Sequence, residues 1–229
     1  MNITETYQKI REEIPDHVAV VAAAKTRSAE EVAEIIDAGA VHIGENYVQE
    51  AERMRAALGE RAERVTWHMI GHLQKNKINK ALPVFDVIQT VDSLRRARDI
   101  DTRAERAGKE IIPVYIEINI GNESSKNGMR PEEHEPFEDY MVHTAEEISQ
   151  LEHIRLEGLM TMGPYTGDPE LSRPYFRRAR KIFESLQKLD LPGADIKTLS
   201  MGMTHSYRAA VEEGSTMVRI GTALFGRRA

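Results

Sequence analysis

One lysine and two glycine-containing turns are the residues whose types and spacing best fit a chemical role. Lys25 directly follows residues 17–24, an apolar run that ends in small side chains. A lysine amine beside dry, apolar walls sheds its proton more readily and can attack an aldehyde to form a Schiff base. Towards the other end of the sequence, residues 200–202 (Ser-Met-Gly) and 221–223 (Gly-Thr-Ala) form short turns. Backbone N–H groups in such turns favour an anion such as phosphate.

Each of these features has a simpler explanation when it is taken alone. Most lysines are solvated, so Lys25 by itself is a surface residue at the start of a loop. The combination is more specific, because an aldehyde-reactive amine that faces a phosphate site is what pyridoxal phosphate requires. Arg219, two residues before Gly221, then has three roles open to it. It is a phosphate ligand, a satisfied ion pair of the fold, or a guanidinium that faces the pyridine nitrogen and leaves it unprotonated.

The elements that must position these residues alternate between strands and helices. Strands are predicted at residues 17–24, 41–44, 66–70, 84–91, 111–120, 154–160, 197–201 and 217–220. Helices are predicted at residues 3–14, 28–38, 46–58, 73–81, 93–106, 131–151, 170–189 and 206–213. Strict alternation predicts a parallel sheet, and eight strand–helix units predict a single (β/α)8 TIM barrel over residues 1–229, with an extra N-terminal helix. An open doubly wound sheet is the alternative, but AAAKTRSAEE lacks its glycine fingerprint.

Active residues of such a barrel lie at the carboxyl ends of its strands. The residues at these positions are Lys25, Glu45, Asn46, His68, Gly71, Thr90, Asp92, Asn119, Met160, Thr161, Ser200 and Arg219. Asn46 is either a contact to a bound ring or only a helix N-cap. For His68, a buried ring with satisfied nitrogens is favoured over a catalytic role. The lysines at 75, 77 and 80 share one short helix and are interpreted as a solvated face, with partner binding as the alternative.

Composition excludes several classes of function. The chain has 229 residues, 31 basic against 37 acidic, a net charge of −6 and no cysteine. Interspersed, mildly acidic charge argues against general nucleic-acid binding, and the lack of cysteine excludes disulfides and thiolate metal sites. His42, His68 and His72 lack the spacing of a metal site. No apolar run approaches the ~20 residues of a membrane span, so a cytoplasmic protein without a membrane, metal or nucleic-acid partner is expected.

The sequence resembles a known family along nearly its whole length. The resemblance lies, in order, in the runs AAAKT, IGENYVQE, WHMIGHLQKNK, VYIEINIGNESSKNG, GLMTM, LSMGM and STMVRIGTALFG. These runs are similar to those of the pyridoxal phosphate homeostasis proteins, the YggS/PROSC family. The resemblance implies a barrel like the N-terminal domain of alanine racemase (fold type III of pyridoxal phosphate proteins). It also implies pyridoxal 5'-phosphate as the cofactor, held as a Schiff base.

The same resemblance assigns roles to three residues outside the turns. The cofactor-bearing lysine of the family corresponds to Lys25 in AAAKT. The arginine beside the pyridine nitrogen corresponds to Arg219 in VRIGT, and the asparagine of GENYVQE, Asn46, corresponds to a ring contact.

The phosphate site of the family corresponds to both glycine-containing turns. It maps onto Ser200 and Met201 of LSMGM and onto Gly221 and Thr222 of RIGT. One departure follows the first turn, where family members continue with serine and an acidic residue and this chain has Thr-His-Ser at 204–206. Thr204 is expected to cap the following helix in place of that motif.

Three functions remain open on the sequence. The resemblance favours a non-catalytic protein that stores, buffers or delivers the cofactor, with apo-enzymes that need it as candidate recipients. A related amino-acid racemase would need a second base opposite Lys25, which alanine racemase takes from a separate domain of its partner subunit. The sequence ends at Ala229 soon after the eighth strand, so that domain is expected to be absent; Tyr47, Tyr165 and Tyr207 are the tyrosines considered as substitutes. The third function is an aldolase that uses Lys25 without a cofactor.

Overall fold

The fold is a closed barrel of eight parallel strands. The computed structural model describes residues 2–164 and 167–226, in which each strand pairs with the next and the last pairs with the first. The strands are β1 (Ala19–Ala23), β2 (His42–Glu45), β3 (Thr66–Met69), β4 (Val87–Val91), β5 (Ile112–Ile118), β6 (Ile154–Thr161), β7 (Ala194–Ser200) and β8 (Met217–Ile220). The predicted (β/α)8 barrel is therefore confirmed, and every predicted strand has a counterpart within a few residues.

Helices cover the outside of this barrel. They are α1 (Ile3–Glu13), α2 (Ala29–Asp37), α3 (Val48–Leu58), α4 (Ile78–Ala81), α5 (Leu94–Arg106), α6 (Phe137–Ser149), α7 (Arg173–Gln187), α8 (Tyr207–Glu212) and α9 (Thr222–Phe225). Helix α1 precedes the first strand, as predicted. In the part of the chain that the structure describes, no helix combines the length and the apolarity that a bilayer span requires.

Local sequence signals explain where several helices begin and end. Ser28 Oγ accepts the N–H of Glu31 at 3.2 Å, and the Glu31 carboxylate accepts the N–H of Ser28 at 2.8 Å, which is the predicted capping box of α2. Gly39, at φ +104°, follows the end of this helix in a conformation that favours glycine. Ser93 Oγ accepts the N–H of Arg96 at 3.2 Å and caps α5.

Three predicted helices are wrong in detail, each for a local reason. The helix predicted over 73–81 is a 3-10 turn followed by the single α-turn α4, and Pro83 prevents its continuation. The helix predicted from residue 131 begins only at Phe137, after Pro136. Helix α3 has Tyr47 at its N-cap, so Asn46 is not the capping residue.

The barrel encloses a small core of its own. Apolar side chains inside it form a cluster of Val21, Val87, Tyr115, Met160 and Met217, separate from the larger core between barrel and helices. Several polar side chains are also buried, among them His68, Gln89, Glu117, Ser200 and Arg219. Buried polar groups are costly unless they are hydrogen-bonded, so their partners determine what the barrel interior does.

Candidate functional site

Closure of the barrel brings Lys25 beside the second glycine-containing turn. Strand β1 pairs with β8 so that Val21 lies opposite Arg219. A Cβ atom added to Gly221 would lie 3.3 Å from the carbonyl oxygen of Ala23 and 3.5 Å from its Cβ. Half-buried Lys25 follows two residues after Ala23. The amine-bearing loop and the turn therefore share the same mouth of the barrel.

Two of the backbone donors expected in the turns are used within the protein. The N–H of Met201 donates to the carbonyl of Met217 at 3.0 Å. The N–H of Ala223 donates to Thr204 Oγ1 at 3.2 Å. The N–H of Thr222, the first residue of α9, has no acceptor inside its own helix, because the first turn of a helix lacks them. The second turn thus retains a donor that an anion can use.

Thr204 links the two turns and does not cap the helix that follows. Its hydroxyl accepts from Ala223, whereas Ser206 is the N-cap residue of α8. The predicted capping role of Thr204 is wrong, because the nearby N–H of Ala223 takes its hydroxyl instead. This contact connects the loop after β7 to the start of α9.

Arg219 is the most constrained cation at the mouth. It is 4% exposed, and its Nη1 donates to Ser200 O at 2.8 Å and to Ser200 Oγ at 2.6 Å. Its Nη2 donates to the carbonyl of Thr161 at 2.8 Å. Burial lowers the pKa of Arg219 to about 10, and the Glu117 charge opposes that shift. Arg219 therefore remains a cation at neutral pH and has no capacity to accept a proton.

Glu117 is the carboxyl group that shares this interior with Arg219. It is 3% exposed, and its Oε2 has no hydrogen-bond partner among the described residues. Burial, and to a smaller extent the Asp92 charge, raise the pKa of Glu117 to about 7 against the opposing effect of Arg219. The carboxyl group thus holds its proton up to near-neutral pH.

We expect the Glu117→Gln variant to lose less stability than the wild type as pH rises. Unfolded Glu117 releases its proton near its ordinary pKa of 4.5, whereas folded Glu117 keeps it to about 7. Between these values the folded state binds more protons, so stability falls as pH rises and levels off above about 7. The variant should remove about 2 kcal/mol of this loss between pH 5 and pH 8.

Urea unfolding at pH 5, 6, 7 and 8 measures this difference. The Glu60→Gln variant, which alters an exposed carboxylate, is the control and should keep the wild-type pH dependence. A Glu117→Gln curve parallel to that of the wild type would show that Glu117 titrates normally.

Glu45 is a second buried carboxyl group with a raised pKa. It is 1% exposed, its Oε2 has no hydrogen-bond partner among the described residues, and it lines a cavity of about 400 Å³ with Thr26 and Arg27. Burial raises the pKa of Glu45 to about 7, and the nearby Glu50 charge adds to the effect. The positive charge of Lys25 acts weakly in the other direction, which places the two groups within electrostatic reach.

Asn46 lies at the same mouth and is held there by its neighbour Gly71. A Cβ atom at Gly71 would lie 2.4 Å from the carbonyl oxygen of Asn46, so only glycine permits this contact. Asn46 lines a cavity of about 250 Å³ together with His72. The structure therefore fixes the backbone of Asn46 but leaves its predicted ring contact a prediction.

Other strand-end residues organise loops. Thr90 Oγ1 donates to Gly71 O at 2.9 Å. Asn119 Nδ2 donates to the carbonyls of Glu123 at 2.7 Å and Lys126 at 3.0 Å. Asp92 lies 3.3 Å from Nδ1 of His72. These contacts shape the rim of the mouth.

Of the tyrosines considered as a second base, one is engaged by another side chain, one is exposed and one is not described. Tyr207 donates its hydroxyl to Glu13 of α1 at 2.6 Å. Tyr47 is 59% exposed, and Tyr165 lies outside the described residues. Lys75 and Lys80 are exposed, and Lys75 pairs with Asp99 at 2.9 Å, whereas Lys77 is half-buried and lines the cavity beside Asn46. The predicted solvated face therefore holds for two of the three lysines, which are divided between a 3-10 turn and α4.

His42 and Gln89 are functional candidates that the sequence reasoning missed. His68 is buried as expected, with one ring nitrogen 3.0 Å from His42 Nδ1 and the other 2.9 Å from Gln89 Nε2. Gln89 Oε1 also accepts from Ser200 Oγ at 2.8 Å. The available signal was a polar residue in the middle of an apolar strand, Val-Ile-Gln-Thr-Val.

Comparison with known proteins adds the family to this geometry. A model of the family "Alanine racemase, N-terminal domain" matches residues 1–229. The pyridoxal phosphate homeostasis protein of Pasteurella multocida is 38% identical over 211 residues, which cover 92% of this chain and 87% of the relative. The chain belongs to the pyridoxal phosphate homeostasis protein family. A family member from Escherichia coli K12 is 36% identical over 220 residues, covering 93% of this chain and 87% of its own.

Solved structures agree with this family assignment. PipY of Synechococcus elongatus, solved without and with PLP bound, matches with TM-scores of 0.87 and 0.86 at 32% identity. Each match covers 98% of this chain and 100% of PipY. Alanine racemase of Clostridium difficile matches with a TM-score of 0.74 at 20% identity, over 99% of this chain and 57% of the racemase. The racemase likeness shows a shared barrel fold.

Proposed function

We propose that this chain binds pyridoxal 5'-phosphate at the mouth formed by β1, β7 and β8 and acts in the homeostasis of that cofactor. In this proposal Lys25 holds the cofactor as a Schiff base, and a single barrel domain stores, buffers or delivers it without a reaction of its own. The observation that carries the proposal is the pairing of β1 with β8, which sets the Lys25 loop against the Gly221 turn. Membership of a family named for pyridoxal phosphate homeostasis supports it.

The groups at the mouth fit this cofactor chemically. Pyridoxal phosphate supplies an aldehyde that condenses with a primary amine, together with a phosphate dianion. Lys25 is the amine, and the N–H of Thr222 beside a glycine without a side chain suits the phosphate. A side chain at Gly221 would narrow this space, since its Cβ already approaches the backbone of Ala23.

Three further residues complete the proposed site. Arg219 is a permanent cation beside the mouth and suits the pyridine nitrogen, which it leaves without a proton. Ser200 keeps Arg219 in place through two contacts. Met201 is retained as a contact of the first turn, although its own N–H donates to Met217. Cytoplasmic location and transfer to apo-enzymes remain predictions.

Visible absorption of the purified protein tests the proposal directly. Addition of pyridoxal phosphate should produce a yellow band that borohydride abolishes, and peptide mass analysis should find the fixed adduct on Lys25. An aldolase that works without cofactor would give neither signal. A fixed adduct on another lysine would show that the site has been assigned to the wrong residue.

We expect Gly221→Val to weaken binding of pyridoxal phosphate by at least about tenfold, equivalent to about 1.4 kcal/mol. The new side chain would occupy the space beside the phosphate donors. Gly121→Val is the matched control, because a Cβ there would also meet its nearest neighbour, Pro164, at 3.3 Å, in the loop after β5. Titration of both variants with pyridoxal phosphate and with pyridoxal measures the effect. The same titrations of the wild type provide the exclusion test, because equal affinity for the two ligands would exclude this phosphate site.

We expect the loaded protein not to racemise amino acids at an enzymatic rate. Lys25 serves one face of a bound substrate, whereas Tyr207 is engaged by Glu13 and Tyr47 is solvated. General acid–base assistance contributes about 10²–10⁴-fold per group, and neither of the two candidate tyrosines that the structure describes is placed as a second base, so turnover should stay slow. Exchange of the α-proton in deuterated water and chiral product analysis test this. Turnover near 1 s⁻¹ or above that disappears in Lys25→Ala would restore the racemase function.

A further inference from the structure

A continuous chain of side-chain hydrogen bonds crosses the barrel interior. Arg219 Nη1 lies 2.6 Å from Ser200 Oγ, which lies 2.8 Å from Gln89 Oε1. Gln89 Nε2 lies 2.9 Å from Nδ1 of His68, and Nε2 of His68 lies 3.0 Å from Nδ1 of His42. The chain joins β8 and β7 at the proposed cofactor site to β4, β3 and β2 on the other side of the barrel.

Each hydrogen bond in this row of side chains can have its donor on one side only. A guanidinium can only donate, so Ser200 Oγ accepts from Arg219 and donates its own proton to Gln89 Oε1. The amide of Gln89 must then present Nε2 to His68. Its two N–H groups donate to Nδ1 of His68 and, at 3.3 Å, to Sδ of Met217. The orientation of Gln89 is thus determined from both sides.

The hydrogen bonds of the two histidines follow the same order of donor and acceptor. Burial lowers the pKa of His68 to about 3, with the His42 ring adding to the shift, so His68 is neutral. A neutral imidazole that accepts at Nδ1 carries its proton on Nε2, and His68 therefore donates to His42 Nδ1. Ser200, Gln89 and His68 are at most 1% exposed, so water does not replace a lost partner.

We propose that Gln89 and His68 are positioning residues that fix Ser200 and Arg219 at the mouth of the barrel. Gln89 provides the acceptor that holds the Ser200 hydroxyl proton away from Arg219. The oxygen of that hydroxyl then stays free to accept from Nη1 of Arg219. His68 holds Gln89 in the required amide orientation, and His42 in turn accepts from His68. The consequence for cofactor binding rests on the proposed function, whereas the hydrogen-bond directions do not.

The Gln89→Leu variant tests the proposal at its central link. Loss of the acceptor frees the Ser200 hydroxyl and loosens the guanidinium. The dissociation constant for pyridoxal phosphate should rise about tenfold, as when one hydrogen bond to a charged group is lost. The absorption maximum of the bound cofactor should shift as well, because the cation near its ring moves.

Tyr115→Phe is the matched control for a purely structural effect. Tyr115 is also buried inside the barrel, and its hydroxyl is hydrogen-bonded to Thr198, which is not part of the hydrogen-bonded series from Arg219 to His42. This variant should lower the melting temperature to a similar extent but leave the dissociation constant and the absorption maximum unchanged. Equal losses of affinity in Gln89→Leu and Tyr115→Phe would overturn the positioning role.

A double-mutant cycle separates positioning from packing. If His68 acts on the site through Gln89 and Ser200, then His68→Phe should weaken binding in the wild type but have no further effect in a Ser200→Ala background. Additive effects of the two substitutions would overturn the proposal, because they would show that His68 acts by a separate route.

Nitrogen-15 NMR of histidine-labelled protein without cofactor tests the hydrogen-bond directions independently. At pH 7 the His68 signal, identified by its loss in His68→Phe, should show a neutral ring with the proton on Nε2. A protonated ring, or a proton on Nδ1, would contradict the hydrogen-bond directions assigned above and overturn the proposal. If only the proposed function is wrong, the result is different. The His68 signal would then be as expected, but the wild-type protein would develop no visible band with pyridoxal phosphate.

Discussion

Replacing Lys25 by alanine is expected to abolish both the visible band and the borohydride-fixed adduct with pyridoxal phosphate. Lys25 carries the only primary amine among the residues proposed for the site, so no neighbour in the site can take its place. The fold should persist because Lys25 is half-buried in the turn after β1, outside the apolar core. Stability should change by less than about 1 kcal/mol, as for a substitution that makes no cavity.

The control for this experiment is Lys75→Ala, which removes an exposed lysine paired with Asp99. It should retain the band, the adduct and the wild-type affinity. Mass analysis of both variants after borohydride treatment gives the result. An adduct of unchanged yield in Lys25→Ala would exclude Lys25 as the attachment point.

Replacing Arg219 by leucine is expected to destabilise the protein by about 3 kcal/mol, as when one partner of a buried polar network is removed. The substitution leaves the Thr161 carbonyl, the Ser200 carbonyl and the Ser200 hydroxyl without their donor. It also removes the cation that favours the ionised form of Glu117. The pKa of Glu117 should therefore rise further, and the loss of stability should be larger at pH 8 than at pH 5.

Urea unfolding of Arg219→Leu at the two pH values measures both effects. Arg177→Leu is the control, since Arg177 is an exposed arginine paired with Glu213 and a surface pair contributes about 0–1 kcal/mol. The combined variant Arg219→Leu with Glu117→Gln should lose the extra sensitivity to pH. Equal destabilisation by the Arg219 and Arg177 substitutions would show that the interior network contributes nothing.

The barrel could be predicted from the sequence because each of its elements carries a local signal. Apolar runs such as residues 19–23 mark strands that are buried on both faces, and Ser28 and Ser93 mark helix starts. The predictions failed where a neighbour in space decides. Thr204 turns to Ala223 of α9, a contact that no signal around residue 204 announces.

The candidate site was predictable only in part for the same reason. Lys25 and Gly221 could be paired because strand order places the first strand beside the last. The hydrogen-bonded series from Arg219 to His42 could not be predicted from the sequence, because Gln89 contacts Ser200 across the barrel and not through strand pairing. A family resemblance supplies the residues that are proposed to touch the cofactor, whereas the residues behind them can be found only in the packed structure.

The pairing of β1 with β8 also bears on when the site comes into existence. During synthesis Lys25 emerges well before Arg219 and the turn at 221–223. The pairing of β1 with β8 joins residues that are far apart in the sequence, so the entropy of closing a long loop opposes it until the intervening strands have assembled. A nascent chain whose β8 has not paired with β1 would therefore present Lys25 without the turn that is proposed to bind phosphate, and a cofactor bound at the proposed site would stabilise only molecules whose barrel has closed. Retention of pyridoxal phosphate would then distinguish molecules with a closed barrel from those in which β8 has not paired with β1.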